Sequence, residues 1–291
     1  MNMSYQLLLT ILAIGAVFIS VIYLFLYREN GNLSQFQKSS DYKFIELTNG
    51  LTAYKEFGSN NNTPIIMIHG GTVPSEGYTD FCKNLSQRGY WVICYDQFGR
   101  GYSDRPKIKY SMNIYQQQLD ELLDHLNIDQ FILYGVSMGA PIAIEFANNN
   151  INRSLAVGIQ VPVVNINNFI FKILRIPFLG EITMRFFGLP LIKKRALEWG
   201  NEVSLSKELI NGYINQLILP GSEYSLLSSS RYLFPKNYFS TYEVFSKSNI
   251  PLHIAYANDD TEVSPQSVES IISLNKHADV FVFSGGHAGS S

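Results

Sequence analysis

Charge is scarce in this sequence. Asp, Glu, Lys and Arg make up 16% of its 291 residues, against about 25% in an average soluble protein. A membrane segment and an apolar pocket would each lower the share. The net charge is −2, so no global positive field marks a nucleic-acid binder, and none is expected as a partner. Cysteine is scarcer still, with only Cys82 and Cys94. Two thiols make no disulfide framework, and in apolar stretches they read as buried and inert. No His-Glu-x-x-His, Cys-x-x-Cys or phosphate-cradling P-loop occurs, so neither zinc nor a nucleotide is expected. Gly99-Arg100-Gly101 lacks the third glycine and the helix of a dinucleotide fingerprint. The expected cofactor and metal complement is none. Internal repeats and low-complexity tracts are also missing.

What the chain has in abundance comes first. Residues 1–27 carry no charge, and Leu7 to Leu26 is almost wholly apolar until Arg28. Twenty helical residues rise about 30 Å, the thickness of a bilayer's hydrocarbon core. A cleaved signal peptide should have a shorter apolar run of about 7–15 residues, a basic patch before it and small residues after it. This segment has none of these, and a core helix would need a partner on every face. Residues 1–28 are therefore expected to be a single-pass anchor, with a polar linker over 29–40. Arg28, Lys38 and Lys43 lie on its C-terminal side, which by the positive-inside tendency puts the following domain in the cytoplasm.

Beyond the linker, hydrophobic patterning alternates between strand and helix. Tyr42–Leu47 and Leu51–Phe57 flank Asn49-Gly50, a hairpin signal. Strand-like runs recur at Pro64–Ile68, Tyr90–Tyr95, Gln130–Tyr134, Leu155–Val161, Pro251–Tyr256 and Val280–Phe283. Helical stretches at Glu76–Arg88, Ser111–Leu126, Pro141–Asn149 and Pro265–Leu274 come between them. This alternation implies an α/β fold with a mostly parallel sheet and helices on both faces. It breaks over 164–248, a region with no clear strand that holds Phe169, Phe171, Phe178, Phe186, Phe187, Trp199, Tyr213 and Tyr224. That region reads as an inserted helical cap, which leaves 41–163 and 249–291 as the core.

The chemistry centres on Gly135-Val136-Ser137-Met138-Gly139. It follows an apolar strand and precedes a helix. A sharp strand-to-helix turn of this kind exposes the serine hydroxyl as a nucleophile. A serine needs a base, and the base an orienting acid, in the chain order Ser, acid, His. Of five histidines, His253, His277 and His287 follow Ser137. His253 lies inside a strand-like run and His277 just past a helix. His287, in Ser284-Gly285-Gly286-His287-Ala288-Gly289, has glycines for a tight loop after a strand. The acid candidates after Pro251–Tyr256 are Asp259, Asp260 and Glu262, with Asp260 favoured and Asp259 left open. The oxyanion donors are expected to be the backbone N–H of Met138 and of Gly71, with Thr72 as an alternative to Gly71. His69 reads as a holder of that loop.

The chain resembles the α/β-hydrolase superfamily over about 42–287. The resemblance rests on His69-Gly70-Gly71, Asp96-Gln97-Phe98-Gly99-Arg100-Gly101-Tyr102-Ser103, Gly135–Gly139, Asn258-Asp259-Asp260 and Gly286-His287. In such proteins the acid usually stands three residues after a small residue ending the strand, and counting from Ala257 gives Asp260. The resemblance implies that Ser103 belongs to a structural loop and that 164–248 roofs the active site. A serine at the elbow points away from the dehalogenase and epoxide-hydrolase branches. Relatives usually continue past the histidine into a final helix, whereas this sequence ends at Ser291. Anchor and aromatic cap together resemble membrane-anchored monoacylglycerol-lipase-type esterases, which implies a lipophilic acyl ester as substrate. Two other functions stay open. One is a peptidase resembling proline iminopeptidases, although Thr72-Val73-Pro74 stands where their glycine run continues. The other is a non-catalytic ligand-binding protein of the same fold.

Overall fold

The computed structural model describes residues 3–26, 29, 31–166, 169–202 and 207–287. The ends of the expected anchor, the Trp199 side chain, and Ala288 and Gly289 of the histidine loop lie outside the described residues. Helix α1 (Met3–Leu26) is continuous. Within it, Tyr5–Ile22 has a mean hydropathy of 2.3 and none of it is buried by the rest of the chain. It is long and apolar enough to span a membrane, a test that a signal sequence also passes.

The segment expected as a polar linker, 29–40, holds regular structure among its described residues. It carries a short helix, α2 (Leu33–Lys38), capped by the Asn32 side chain, which accepts from the Gln35 N–H. Phe36 stacks on Tyr102 with ring centroids 4.3 Å apart. Gln37 is buried and donates to the Tyr102 carbonyl and the Asp104 carboxylate, both at 3.0 Å. These partners lie 65 and 67 positions away, so the order of this polar segment comes from tertiary contacts, which hydrophobic periodicity does not register.

Eight strands form one sheet in the order β1-β2-β4-β3-β5-β6-β7-β8. They are β1 (Lys43–Leu47), β2 (Gly50–Phe57), β3 (Pro64–Ile68), β4 (Trp91–Tyr95), β5 (Phe131–Val136), β6 (Ser154–Gln160), β7 (Leu252–Ala257) and β8 (Asp279–Phe283). β1 and β2 form the expected hairpin, and β2 joins β4 antiparallel. Every other pairing is parallel. Helices α3 (Thr79–Gln87), α4 (Met112–His125) and α5 (Gly139–Asn149) connect the early strands.

Both faces of the central strands are covered, whereas Val280, Phe281 and Val282 of the edge strand β8 are exposed, and the alternation of side chains along each strand divides the core in two. Ile66, Ile68, Ile93, Tyr95 and Leu133 pack with Leu119 and Leu122 of α4 and Ile144 of α5. Ile65, Met67, Val92 and Cys94 face the other way, onto Cys82 of α3. The two cysteines are buried free thiols.

Between β6 and β7 the chain is helical. It forms α6 (Phe169–Leu174), α7 (Leu179–Thr183), a π-helical turn at Met184–Gly188, α8 (Leu189–Glu202), α9 (Lys207–Gln216), α10 (Ser222–Tyr232) and α11 (Phe239–Phe245). Helix α12 (Pro265–Leu274) then precedes β8. Leu174, Met184, Leu189, Tyr213, Leu226 and Leu227 form a separate apolar cluster inside this helical layer. Not all of its aromatics pack inward: Phe169, Phe178 and Phe187 are exposed.

Candidate active site

Ser137 stands between the end of β5 and the start of α5, at φ 52. A left-handed backbone is unfavourable for a serine and persists only where its surroundings impose it. Here they do. The Ser137 N–H donates to the Gln160 carbonyl, and the Ser137 carbonyl accepts from the N–H groups of Ala140 and Val163. The flanking glycines are required by space. A Cβ on Gly135 would meet the Gly139 carbonyl oxygen at 2.4 Å, and one on Gly139 would meet the Ile68 carbonyl oxygen at 2.1 Å. The turn is therefore pressed against both its own helix and the end of β3, which projects the hydroxyl beyond the sheet's C-terminal edge.

One residue distant in the chain meets that hydroxyl, and a second meets the ring of the first. His287 Nε2 lies 2.9 Å from Ser137 Oγ, across 150 positions of sequence. Its Nδ1 lies 2.8 Å from Asp260 Oδ2. The other carboxylate oxygen of Asp260 accepts from the N–H groups of Glu262 and Val263 at 2.8 and 2.9 Å. With one oxygen fixed by the backbone, the other is aimed at the imidazole, and the buried Asp260 has little freedom to turn away. The alternative acid, Asp259, does something else. It is exposed and accepts from the N–H groups of Gly285 and Gly286. Those two bonds hold its carboxyl below the usual range. Asp259 thus ties down the loop that carries His287, and Asp260 faces the ring.

The other acid and base candidates lie elsewhere. Glu262 pairs with Arg195 at the surface. His253 pairs with Asp279 at the surface, and His277 is exposed in the turn after α12. Among the described residues, no group of three His, Cys, Asp or Glu side chains is arranged to hold a metal ion.

The loop after β3 faces the elbow. His69 is fully buried; its Nε2 accepts from the Gln97 N–H at 3.0 Å, so Nδ1 carries the proton and donates to the Gly70 carbonyl at 2.7 Å. Burial depresses the imidazole to about 3, which keeps it neutral. Because a trans peptide sets its C=O and N–H on opposite sides, fixing the Gly70 carbonyl turns the Gly71 N–H away from His69. The Met138 N–H heads the first turn of α5. Among the described residues, neither N–H has an acceptor, so both are available to a developing negative charge.

Sequence reading gave no role to two neighbours of this loop. Arg100 is buried, and its Nε donates to the Gly71 carbonyl at 2.5 Å. Its other nitrogens donate to the Gly99 carbonyl and to Ser225 and Ser229 of α10. Phe234 packs so close that a Cβ on Gly71 would fall 2.7 Å from its ring, and Phe171 of α6 lies next to it with ring centroids 5.9 Å apart. Arg100 sits in the motif of the structural loop, which signals that something is held there but not what. Phe234 carries no sequence signal.

Residues 63–157 match the family described as the α/β hydrolase fold. A proline iminopeptidase from Saccharolobus solfataricus is 37% identical over 97 residues, covering 32% of this chain and 31% of that protein. An uncharacterised protein of Mycobacterium tuberculosis is 30% identical over 131 residues, covering 44% of this chain and 38% of that protein. The chain thus spans well under half the length of these curated relatives. Among solved structures, the enol-lactonase of Burkholderia xenovorans superposes with a TM-score of 0.71 at 14% identity, over 85% of this chain and 93% of that one. At that identity the likeness is one of fold, and the fold is that of the α/β hydrolases.

Proposed function

We propose that this chain, a member of the α/β-hydrolase superfamily, is a serine hydrolase that cleaves a carboxylic ester of a lipophilic acyl group through an acyl-enzyme at Ser137. The observation that carries the reading is the alignment of one imidazole with two partners, Ser137 Oγ at 2.9 Å and Asp260 Oδ2 at 2.8 Å. In the first step His287 Nε2 takes the serine proton as Oγ attacks the ester carbonyl. Asp260 keeps the proton on Nδ1 and stabilises the imidazolium. The N–H groups of Met138 and Gly71 receive the oxyanion. Collapse of the intermediate expels the alcohol, which takes the proton from His287. Water then repeats the sequence on the acyl-enzyme, releasing the acid and restoring the serine.

The acyl preference is supported by the apolar side chains beside the oxyanion loop, Phe171, Phe234 and Met138. Each methylene moved from water onto such a surface contributes about 0.8 kcal/mol. We take α1 as a membrane anchor with the catalytic domain on the cytoplasmic side, which places the site where lipophilic esters concentrate. The second reading, a peptidase acting on an N-terminal proline, is favoured by the matched segment of the Saccharolobus enzyme.

A fluorophosphonate probe tests the nucleophile, with covalent labelling expected on wild type and none on Ser137→Ala. Labelling elsewhere, or none on the folded wild-type protein, refutes it and leaves a ligand-binding role. Turnover of para-nitrophenyl esters of increasing chain length against a prolyl amide separates esterase from peptidase.

A further inference from the structure

Helix α6 is amphipathic the wrong way round for a purely internal element. Phe171 and Leu174 face inward, onto Phe234 and the apolar cluster of the helical layer. Phe169 and Lys172, also three apart and so on one face, are both exposed. The exposed apolar surface continues through the turn and the next elements. Phe178 is 83% and Phe187 65% exposed, and Ile176, Leu179 and Leu191 are exposed with them. Phe178 also holds a left-handed backbone, φ 64, which a bulky residue adopts at a cost. An aromatic ring projected into solvent from a strained position is unexplained by the packing of this chain. Large apolar side chains exposed in such number on neighbouring elements mark contact with a partner or a membrane.

Charge and tethering name the partner. Between Phe169 and Leu191 the exposed charges are basic, Lys172 and Arg175, while Arg185 is paired with Glu223 and Glu181 with Arg231, and Lys193 is exposed just beyond, in a chain whose total charge is −2. The surface is also held close to the end of α1. The Glu29 carboxylate accepts from the N–H groups of Gly221 and Glu223 at the start of α10, both at 2.8 Å. Helix α1 ends at Leu26, and three residue steps span at most about 11 Å. From that point the apolar surface is reached through direct contacts. Glu223 pairs with Arg185, close in sequence to Phe187. Arg231 of α10 donates to the Leu174 carbonyl at the end of α6 and pairs with Glu181 of α7.

We infer that this face, from Phe169 to Leu191, lies on the surface of the bilayer that α1 crosses, with anionic lipid as its partner. The aromatic rings enter the acyl boundary and the basic side chains meet the head groups, as in interfacial amphipathic elements. The helix whose Phe171 packs on Phe234 beside Gly71 is then in contact with the membrane, which gives an acyl chain a short path from lipid toward Ser137. The inference rests on α1 being a membrane span.

The full chain, reconstituted in phosphatidylcholine vesicles with and without phosphatidylglycerol, provides the test. Phe178→Cys is labelled with an environment-sensitive thiol dye, since the native cysteines are buried. Asn60→Cys, exposed in the loop at the opposite edge of the sheet, serves as control. Quenching by brominated lipid is expected to be at least about threefold stronger at 178 than at 60, and stronger with phosphatidylglycerol. Equal quenching at the two positions, in a chain that resists carbonate extraction, overturns the inference alone. A chain that carbonate extracts overturns the anchor reading and the inference with it. A dye at 178 shielded from aqueous iodide yet unquenched by lipid overturns it in favour of a second copy covering the face.

Discussion

Replacing Asp260 by asparagine should remove catalysis while leaving the fold intact, and the same change at the adjacent Asp259 should not. Asp260 Oδ1 is fixed by two backbone N–H groups at 2.8 and 2.9 Å. In Asp260→Asn the amide oxygen takes that place, because only it accepts hydrogen bonds. The amide NH2 then faces His287 Nδ1, now 2.8 Å from a carboxylate oxygen. Two donors cannot share that contact. The imidazole relieves it by moving its proton to Nε2, and a protonated Nε2 can no longer accept from Ser137 Oγ. The expected loss in kcat is about 10⁴-fold, or ~5 kcal/mol of transition-state stabilisation. In Asp259→Asn the amide oxygen still accepts from the Gly285 and Gly286 N–H groups, so kcat should fall less than about tenfold. Both variants are measured on one para-nitrophenyl ester, with circular dichroism as the check on folding. A loss at Asp259 equal to or larger than that at Asp260 would refute the assignment of roles.

Three further outcomes follow from the same geometry. His69 is neutral when folded, depressed to about 3, whereas in the unfolded chain it titrates near ~6.5. Between these values the unfolded state binds more protons, so His69 contributes stability that is present above about 6.5 and lost as pH falls toward 3. The unfolding free energy of wild type minus that of His69→Gln should therefore rise with pH across this window, by up to ~1.4 kcal/mol per unit, and level off above it; a flat difference refutes the account. The subtraction matters, because Asp96, raised to about 6 by burial, acts in the opposite direction over much of the same range. Arg100→Met frees the Gly71 carbonyl and should lower kcat by about 10–100-fold with a smaller change in KM, measured by steady-state kinetics; an unchanged kcat denies Arg100 a positioning role. Gly139→Ala sets a Cβ at 2.1 Å from the Ile68 carbonyl oxygen, with the His69 carbonyl oxygen at 2.8 Å. Backbone cannot yield as a side-chain tip can, so the cost should reach or exceed the upper end of ~1–3 kcal/mol and lower Tm by ~6 °C or more in a thermal melt.

The sequence by itself determined the architecture and the setting of Ser137, because both are written in short-range terms. Apolar runs such as Pro64–Ile68 and Trp91–Tyr95 become central strands because no alternation interrupts them. Gly135 and Gly139 bracket Ser137 because the turn leaves no room for a Cβ. The uncharged run of α1 is legible as composition alone. A count from Ala257 favours Asp260 in the sequence, but what each acid bonds to was decided by the tertiary structure, in which the backbone of Glu262 and Val263 holds Asp260 toward His287 while Asp259 accepts from Gly285 and Gly286. Only the tertiary structure turned the polar segment before β1 into a docked helix, through Gln37 and Glu29, and gave Arg100 its place between the Gly71 carbonyl and α10. Periodicity reports which face of an element is apolar. It does not report whether that face meets protein, so Phe171 and Phe178 look alike in the sequence, yet one packs on Phe234 and the other stands in the open.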